Sequence, residues 1–374
     1  MPDNLVDILP ADFREGLFAG RAESECGPHV IAIRNGELFD ITEQVATMSG
    51  AVARRSFSGG RHIGAVQDGL PEGWRLISPV DLQCIKACGV TFALSAIERV
   101  IEERARGDAA KAAEIRDLLE ERVGSGIRSV VPGSDEAIAL KTALIDQGMW
   151  SQYLEVAIGP DAEVFSKSPV LSTVGHGALI GVRSDSSWNN PEPEVVLVAD
   201  ASGTVVGATL GNDVNLRDFE GRSALLLSKA KDNTASCSIG PFIRLFDDGF
   251  TIDDVRSANV DLLIEGTDGY RLEGTNRMSE ISRDPLDLVN QTLSEHHYPD
   301  GFVLFCGTLF APTQDRDTPG GGFTHKLGDK VTIRSEKLGS LSNVVTTSRE
   351  APPWTMGIAA LMRNLAARGL IEKV

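Results

Sequence analysis

The order of apolar runs along the chain predicts an α+β fold built on a mixed β-sheet, and three observations support that reading. Strand-like runs open the chain, a helical stretch interrupts them, and strands dominate from about residue 151 onward. Strands and helices do not alternate as a doubly wound sheet requires. No Gly-x-Gly-x-x-Gly or Walker sequence occurs, which removes the usual nucleotide-binding architectures.

Within residues 1–74, apolar runs at 30–33 and 38–41 flank Asn35-Gly36. That dipeptide suits a tight hairpin, whose central residues both need positive φ. These runs predict a small β-rich N-terminal domain, with residues 75–374 as the larger domain and a helical insertion at about 94–150. In the insertion Leu94, Ile97, Val100 and Ile101 recur at helical spacing, with Glu102, Glu103 and Arg104 on the other face. Gly107-Asp108 breaks that run, and Ile115, Leu118 and Leu119 mark a second helix. A third begins at Ser134, has Asp135 and Glu136 in its first turn, and ends near Gly148. The insertion is placed to cover a site as a lid or to make an oligomer contact. Strands are expected at 195–198, 205–210, 260–264, 270–272, 302–305, 331–334 and 344–346, with a turn at 266–269. Asp284-Pro285 opens a short helix, proline being suited to the first helical position. The last helix carries Ile358, Leu361, Met362 and Leu365 on one face and closes on Gly369. Gly320 to Gly322 has no lysine at phosphate-loop spacing and reads as a flexible loop.

Composition bounds the function. A net charge of −17 argues against nucleic acid or an anionic membrane as partner. It also repels an anionic substrate at long range, so a local cation must hold one. No apolar run approaches the roughly 18 residues of a membrane span, and the N-terminal residues lack the basic and apolar regions of a secretory signal. A cytoplasmic protein is expected. The five cysteines, Cys26, Cys84, Cys88, Cys237 and Cys306, read as free thiols. Cys84 and Cys88 are spaced to share a helix face but lack the further ligands zinc requires.

The chemistry-bearing feature is Glu192-Pro-Glu194, which leads into the apolar run at 195–198. Carboxylates two apart on an extended segment share a face. A buried strand should not begin with two like charges on one face unless something positive lies between them. Asp213 is the first carboxylate after the next strand. Three hard oxygen ligands without histidine suit Mg²⁺, Mn²⁺ or Ca²⁺ rather than zinc.

The sequence runs Glu192-Pro-Glu194, then Asn212-Asp213-Val-Asn-Leu-Arg217-Asp218, then Lys231, then Gly240-Pro241. In order and spacing this resembles the metal signature of the fumarylacetoacetate hydrolase superfamily over about residues 75–350. Gly89-Val-Thr-Phe92, the stretch from Val174 to Trp188 and Gly307-Thr308 bring it closest to the sugar-acid branch, the 2-keto-3-deoxy-pentonate dehydratases. The resemblance implies a rolled β-sheet catalytic domain, with Mg²⁺ (or Mn²⁺ or Ca²⁺) on Glu192, Glu194 and Asp213. It also implies a homodimer through the β-rich domain, or a homotetramer.

The implied reaction is a hydro-lyase step of oxidative pentose catabolism, on either the xylonate or the arabinonate route. The metal holds the C1 carboxylate and C2 carbonyl of 2-keto-3-deoxy-D-pentonate and makes the C3 proton acidic. The resulting enolate expels the C4 hydroxyl, and tautomerisation gives 2,5-dioxopentanoate. Lys231 matches the family's active-site lysine and is the first candidate base, the metal lowering its pKa so that a neutral amine is available. Glu163 is the second candidate, as a proton shuttle. Lys167, His176, Thr308 and Ser95 are the implied substrate contacts, with Glu98 and Arg99 available to hold hydroxyls or the lid. Ser95 also departs from the pattern of C–C hydrolases, which place a water-activating histidine there. Serine is no general base near neutral pH, so elimination is favoured over hydrolysis. The alternative on the same scaffold is a metal-dependent C–C hydrolase or decarboxylase of acylpyruvate-type 2-keto acids. A non-catalytic binding protein would predict erosion of the acidic triad or Lys231, and both are intact.

Overall fold

The computed structural model describes residues 4–106, 108, 111–112, 130–146, 148–309, 312, 314–317 and 322–374. The break at Gly107, the helix expected around Ile115, Leu118 and Leu119, and Gly320 and Gly321 lie outside them.

The first part of the chain supplies β1 (Phe18–Ser24), β2 (Gly27–Arg34), β3 (Glu37–Asp40), β4 (Arg61–Ala65) and β5 (Arg75–Ile77). The middle gives β6 (Cys84–Gly89), β7 (Glu163–Ser168), β8 (Leu179–Val182), β9 (Asn189–Asn190), β10 (Pro193–Ala199), β11 (Val205–Asp213), β12 (Asn215–Leu216) and β13 (Cys237–Leu245). The remainder gives β14 (Asn259–Glu265), β15 (Arg271–Arg277), β16 (Phe302–Phe305), β17 (Lys330–Ser335) and β18 (Gly339–Thr347). Among the described residues a large sheet runs β4-β3-β2-β1-β13-β11-β10-β16-β6-β7, with β5 beside β1. A second runs β15-β14-β17-β18-β8, and β9 pairs with β12. The β16–β6 and β18–β8 pairs are parallel among antiparallel neighbours. The sheets are therefore mixed, as the α+β reading expects.

The β2–β3 hairpin turns on Asn35 (φ 51°) and Gly36 (φ 75°), both left-handed as a tight hairpin turn requires. β1 pairs with β13 at Phe18↔Arg244 and Ala19↔Ile243. The N-terminal strands thereby extend the large sheet. The antiparallel pair β10–β11 lies at its centre. Residues 195 to 198 are fully buried and alternate between two cores. Val195 and Leu197 pack with Leu262, Ile264 and Ile333 of the second sheet. Val196 and Val198 face Val30, Met48 and Phe305. Burying each such side chain contributes about 1.5–3 kcal/mol, which anchors the carboxylates at the end of β10.

The helices Ala93–Ala105, Asp135–Asp146 and Gln152–Ile158 share a separate cluster that includes Ile97, Val100, Ile101, Leu144 and Leu154. The side chain of Leu94 is outside the described set. Gln152–Ile158 falls where strands were expected to begin. Ser151 caps it by accepting the Tyr153 N–H at 3.3 Å, and Tyr153, Leu154, Ala157 and Ile158 bury one face. Cys84 and Cys88 sit on β6 rather than on a helix, and all five cysteines are unpaired. In the last helix, Ile358–Ala367, Leu361 and Leu365 are buried, but Ile358 and Met362 are 53% and 55% exposed. The expected apolar face is therefore only half covered. No helix among the described residues is long and apolar enough to cross a membrane.

Candidate active site

Glu192, Glu194 and Asp213 meet where β10 begins and β11 ends. The Asp213 N–H donates to the Glu192 carbonyl at 3.0 Å, and the Glu192 N–H donates to Asn212 Oδ1 at 3.1 Å. Asn212-Asp213 thus locks the Glu-x-Glu segment in place. One carboxylate oxygen from each of Glu192, Glu194 and Asp213 lies within 4.8 Å of the others, and all three residues are buried. At that spacing each like-charge pair costs on the order of 3–4 kcal/mol at an effective dielectric of about 20. The cluster therefore requires cations.

The structure supplies several. Lys231, ending the helix Leu227–Lys231, donates to Glu192 Oε2 and, at 3.0 Å, to Asp213 Oδ2. Lys167 of β7 reaches Asp213 Oδ1 at 2.7 Å and is fully buried. Arg99 spans from Glu192 Oε1 at 2.6 Å to Glu102 Oε2 at 2.7 Å, and its Nη1 is 3.2 Å from Glu220 Oε2. Arg217 holds Glu102 Oε1 at 2.7 Å. Glu194 takes the Gly307 N–H at 2.6 Å. Gly307 has φ +92°, and a Cβ there would meet Thr91 Oγ1 at 2.0 Å, so only glycine presents that N–H.

Burial and the flanking charges of Asp213 and Glu192 raise the Glu194 carboxyl well above its ordinary range. Burial alone would also raise Asp213, but Lys167 and Lys231 outweigh it and hold Asp213 low. For Lys231, burial opposes the charge, yet Asp213, Glu192 and Glu220 prevail and raise its pKa. With no ion on the triad, these carboxylate neighbours hold the amine as an ammonium. Glu163 is pushed up to about 7 by burial and by Glu220, against Arg99 and Lys231. The donor set fits a hard divalent cation, being all oxygen and buried. Among the described residues Glu194 in particular has no cation of its own, and its raised carboxyl marks a shortage of local positive charge.

Of the expected site residues, Glu192, Glu194, Asp213, Lys231, Glu163, Ser95 and Thr308 line one cavity, of about 20 Å³. That is room for about one water or ion, so a substrate must displace side chains to enter. Larger surface cavities exist, such as one lined by Arg183, Asp185 and Trp354, but they lack the converging carboxylates. Lys167 lies beneath the triad on Asp213. Ser95 donates to the Phe92 carbonyl at 2.8 Å, so it both starts its helix and faces the cavity. His176 is not brought to this cavity. Its loop packs on β18, where Nδ1 accepts the Ser342 N–H at 3.1 Å, and it lines a different cavity with Asn4 and Trp74. His325 is buried against Asp329 and Phe323, and does not line the site either. Glu220 and Glu102 were not anticipated. The available signal was Arg217 itself, since a buried arginine needs a carboxylate partner.

Gly89 faces Glu163 so closely that a Cβ there would meet Glu163 Oε2 at 2.0 Å. The contact is with a flexible side-chain end, so Gly89→Ala is expected to fold but to turn Glu163 aside. A displacement of about 1 Å costs on the order of 100-fold in rate. Turnover should fall by about that factor while Mg²⁺ titration by calorimetry stays at the wild-type affinity. An unchanged rate would remove Glu163 from the reaction.

The model of the family described as fumarylacetoacetate (FAA) hydrolase C-terminal matches residues 160–346. The chain is 35% identical over 202 residues to a protein of Haloferax volcanii named probable 2-keto-3-deoxyxylonate dehydratase, covering 54% of this chain and 66% of that one. It is 31% identical over 188 residues to the 2-dehydro-3-deoxy-D-arabinonate dehydratase of Saccharolobus solfataricus, covering 50% and 60%. The matches thus span less than two thirds of either relative. Among solved structures, a 2-keto-3-deoxy-D-arabinonate dehydratase complexed with magnesium and 2,5-dioxopentanoate superposes with a TM-score of 0.63 at 22% identity, over 88% of this chain and 98% of that one. A fumarylacetoacetate hydrolase from Exiguobacterium antarcticum superposes with a TM-score of 0.56 at 17% identity, over 88% and 99%. At these identities the likeness is one of fold.

Proposed function

The chain belongs to the fumarylacetoacetate hydrolase C-terminal family, and from that premise we propose that it is a Mg²⁺-dependent hydro-lyase converting 2-keto-3-deoxy-D-pentonate to 2,5-dioxopentanoate. The observation behind this reading is the composition of the cavity. It combines a buried all-oxygen triad with two proton-handling groups, Glu163 and Lys231, and no histidine lines it among the described residues. The names of the Haloferax and Saccharolobus relatives point the same way, as do the magnesium and 2,5-dioxopentanoate of the structural neighbour.

Glu192, Glu194 and Asp213 would hold the ion, which when bound supplies a Lewis acid that neutralises the substrate carboxylate and polarises C2. Each Glu192 oxygen already carries one flexible cationic chain, Lys231 or Arg99, and such chains can give way to an ion and substrate. Glu163, titrating near neutrality, takes the proton from C3. Lys231, the cation that lines the cavity beside the triad, delivers a proton to the C4 hydroxyl as its C–O bond breaks. Water leaves and a C3=C4 bond forms. A proton then moves from C5 to C3, and the C4=C5 enol so formed passes its O–H proton to C4, which leaves the aldehyde at C5. Lys167 keeps Asp213 ionised from below. Ser95 and Thr308 face the substrate space. The unpaired cysteines agree with a reducing, cytoplasmic setting, and a homo-oligomer acting in oxidative pentose catabolism completes the reading.

The test is product NMR with 2-keto-3-deoxy-D-pentonate and Mg²⁺ beside an EDTA control. 2,5-Dioxopentanoate formed only with metal supports the proposal. Pyruvate with glycolaldehyde would mean aldol cleavage and overturn it. The pH profile tests the base. Glu163 is raised to about 7, so below that pH it is protonated and cannot accept. kcat/KM should rise about tenfold per pH unit up to about 7 and then level. The limb should vanish, together with most of the rate, in Glu163→Gln. A descending limb at the same pH would make Glu163 the acid instead.

A further inference from the structure

Glu220 has no role in the steps above, yet it is 3% exposed and lines the same cavity as Glu163 and Lys231. It ends the short helix Arg217–Glu220, whose Arg217 is tied to Glu102 and to the Pro312 carbonyl, and Tyr153 Oη donates to the Glu220 carbonyl at 3.4 Å. The residue is therefore fixed in place. Its Oε2 is 3.2 Å from Arg99 Nη1 but without hydrogen-bond alignment, and it accepts no hydrogen bond from the described residues. A buried carboxylate oxygen left without a donor costs more than the roughly 1–3 kcal/mol of a neutral group. Such a group in a cavity calls for a hydroxyl. Arg99 bridges Glu192 to Glu220, so Glu220 stands one guanidinium width from the triad. If the triad end takes the keto-acid head, Glu220 is on the side available to the hydroxylated tail.

We propose that Glu220 is a specificity-determining residue whose Oε2 accepts the C5 hydroxyl of the keto acid, selecting hydroxylated 2-keto acids over their deoxy counterparts. The assignment rests on the dehydratase reading. A site built to bond a substrate hydroxyl rejects the analogue lacking it by as much as about 10⁴–10⁵, because Glu220 Oε2 would otherwise stay buried with only the unaligned Arg99 contact. An apolar pocket would discriminate far less.

The experiment compares 2-keto-3-deoxy-D-pentonate with 2-keto-4-hydroxypentanoate, which keeps the C4 leaving group and lacks the C5 hydroxyl. Wild type, Glu220→Gln and Glu220→Ala are assayed on both, with Mg²⁺ titration and thermal unfolding as controls for the site and the fold. Wild type should prefer the hydroxylated acid by at least about 100-fold in kcat/KM. Glu220→Ala should collapse that ratio to below about tenfold, mainly by raising KM for the hydroxylated acid. Glu220→Gln, which retains an acceptor oxygen, should keep most of it. A ratio unchanged in Glu220→Ala, or equal losses on both compounds, would overturn the assignment. If wild type dehydrates neither compound, the dehydratase reading itself fails, and the proposal falls with it.

Discussion

Glu194→Ala is expected to lose Mg²⁺ binding in calorimetric titration and to lose turnover below detection, while the protein remains folded. The argument comes from the unequal positions of the three carboxylates. Among the described residues, Glu192 and Asp213 are each bonded to cationic side chains, whereas Glu194 has only the Gly307 N–H. Its carboxyl is raised by burial and by its two acidic neighbours. Deleting it therefore relieves repulsion even as it removes one of three ligands. The cost to the fold is confined to an unmet Gly307 N–H, about 1–3 kcal/mol. Glu194→Gln separates the two effects, since its amide oxygen can still accept from Gly307 but supplies no charge. Both variants should melt near wild type in EDTA, and only wild type should be stabilised when Mg²⁺ is added. Wild-type turnover in Glu194→Ala would sink the site assignment.

How much of this was legible beforehand follows from how local each feature is. Glu192-Pro-Glu194 could be read because two residues and a following strand settle which face the carboxylates share, and the antiparallel pairing of β10 with β11 then brings Asp213 to them. Lys231 and Glu163 were found by resemblance of motif, and the cavity contains both. The same kind of argument failed to place His176 in the cavity, because a motif fixes the local chain and not the direction its side chain takes; the packing against Ser342 decides that. The bridge Glu192–Arg99–Glu102–Arg217 could not be read, because it joins residues far apart in sequence through charges that look, one at a time, like solvated helix faces. Pairing of β1 with β13 is likewise long-range and has no local signature. The helix Gln152–Ile158 was a different kind of miss. Its serine cap and apolar spacing were present in the sequence and were outweighed by the strands around them.

Lys231→Met should separate the structural from the chemical role of the lysine. Methionine keeps an unbranched chain of similar reach and removes the charge. Without a divalent ion, Glu192 Oε2 and Asp213 Oδ2 lose their shared ammonium inside the protein. Breaking a buried pair from one side costs about 3–5 kcal/mol, so the variant in EDTA should unfold at clearly lower denaturant than wild type. Lys167 and Arg99 still hold the other oxygens of the two carboxylates, so the fold should survive. Mg²⁺ brings positive charge to the same carboxylates, and should restore much of the lost stability. Turnover should behave differently. A positioned proton donor contributes about 10²–10⁴-fold, and an ion on the carboxylates cannot hand a proton to the C4 hydroxyl. The expected outcome is therefore a variant that Mg²⁺ stabilises but does not reactivate, with kcat down by at least about 100-fold. Recovery of both properties together would make Lys231 a counter-ion for the carboxylates and nothing more. Loss of Mg²⁺ binding along with turnover would mean that the lysine shapes the ligand set, and the proton-transfer role would then have to be reassigned to Glu163.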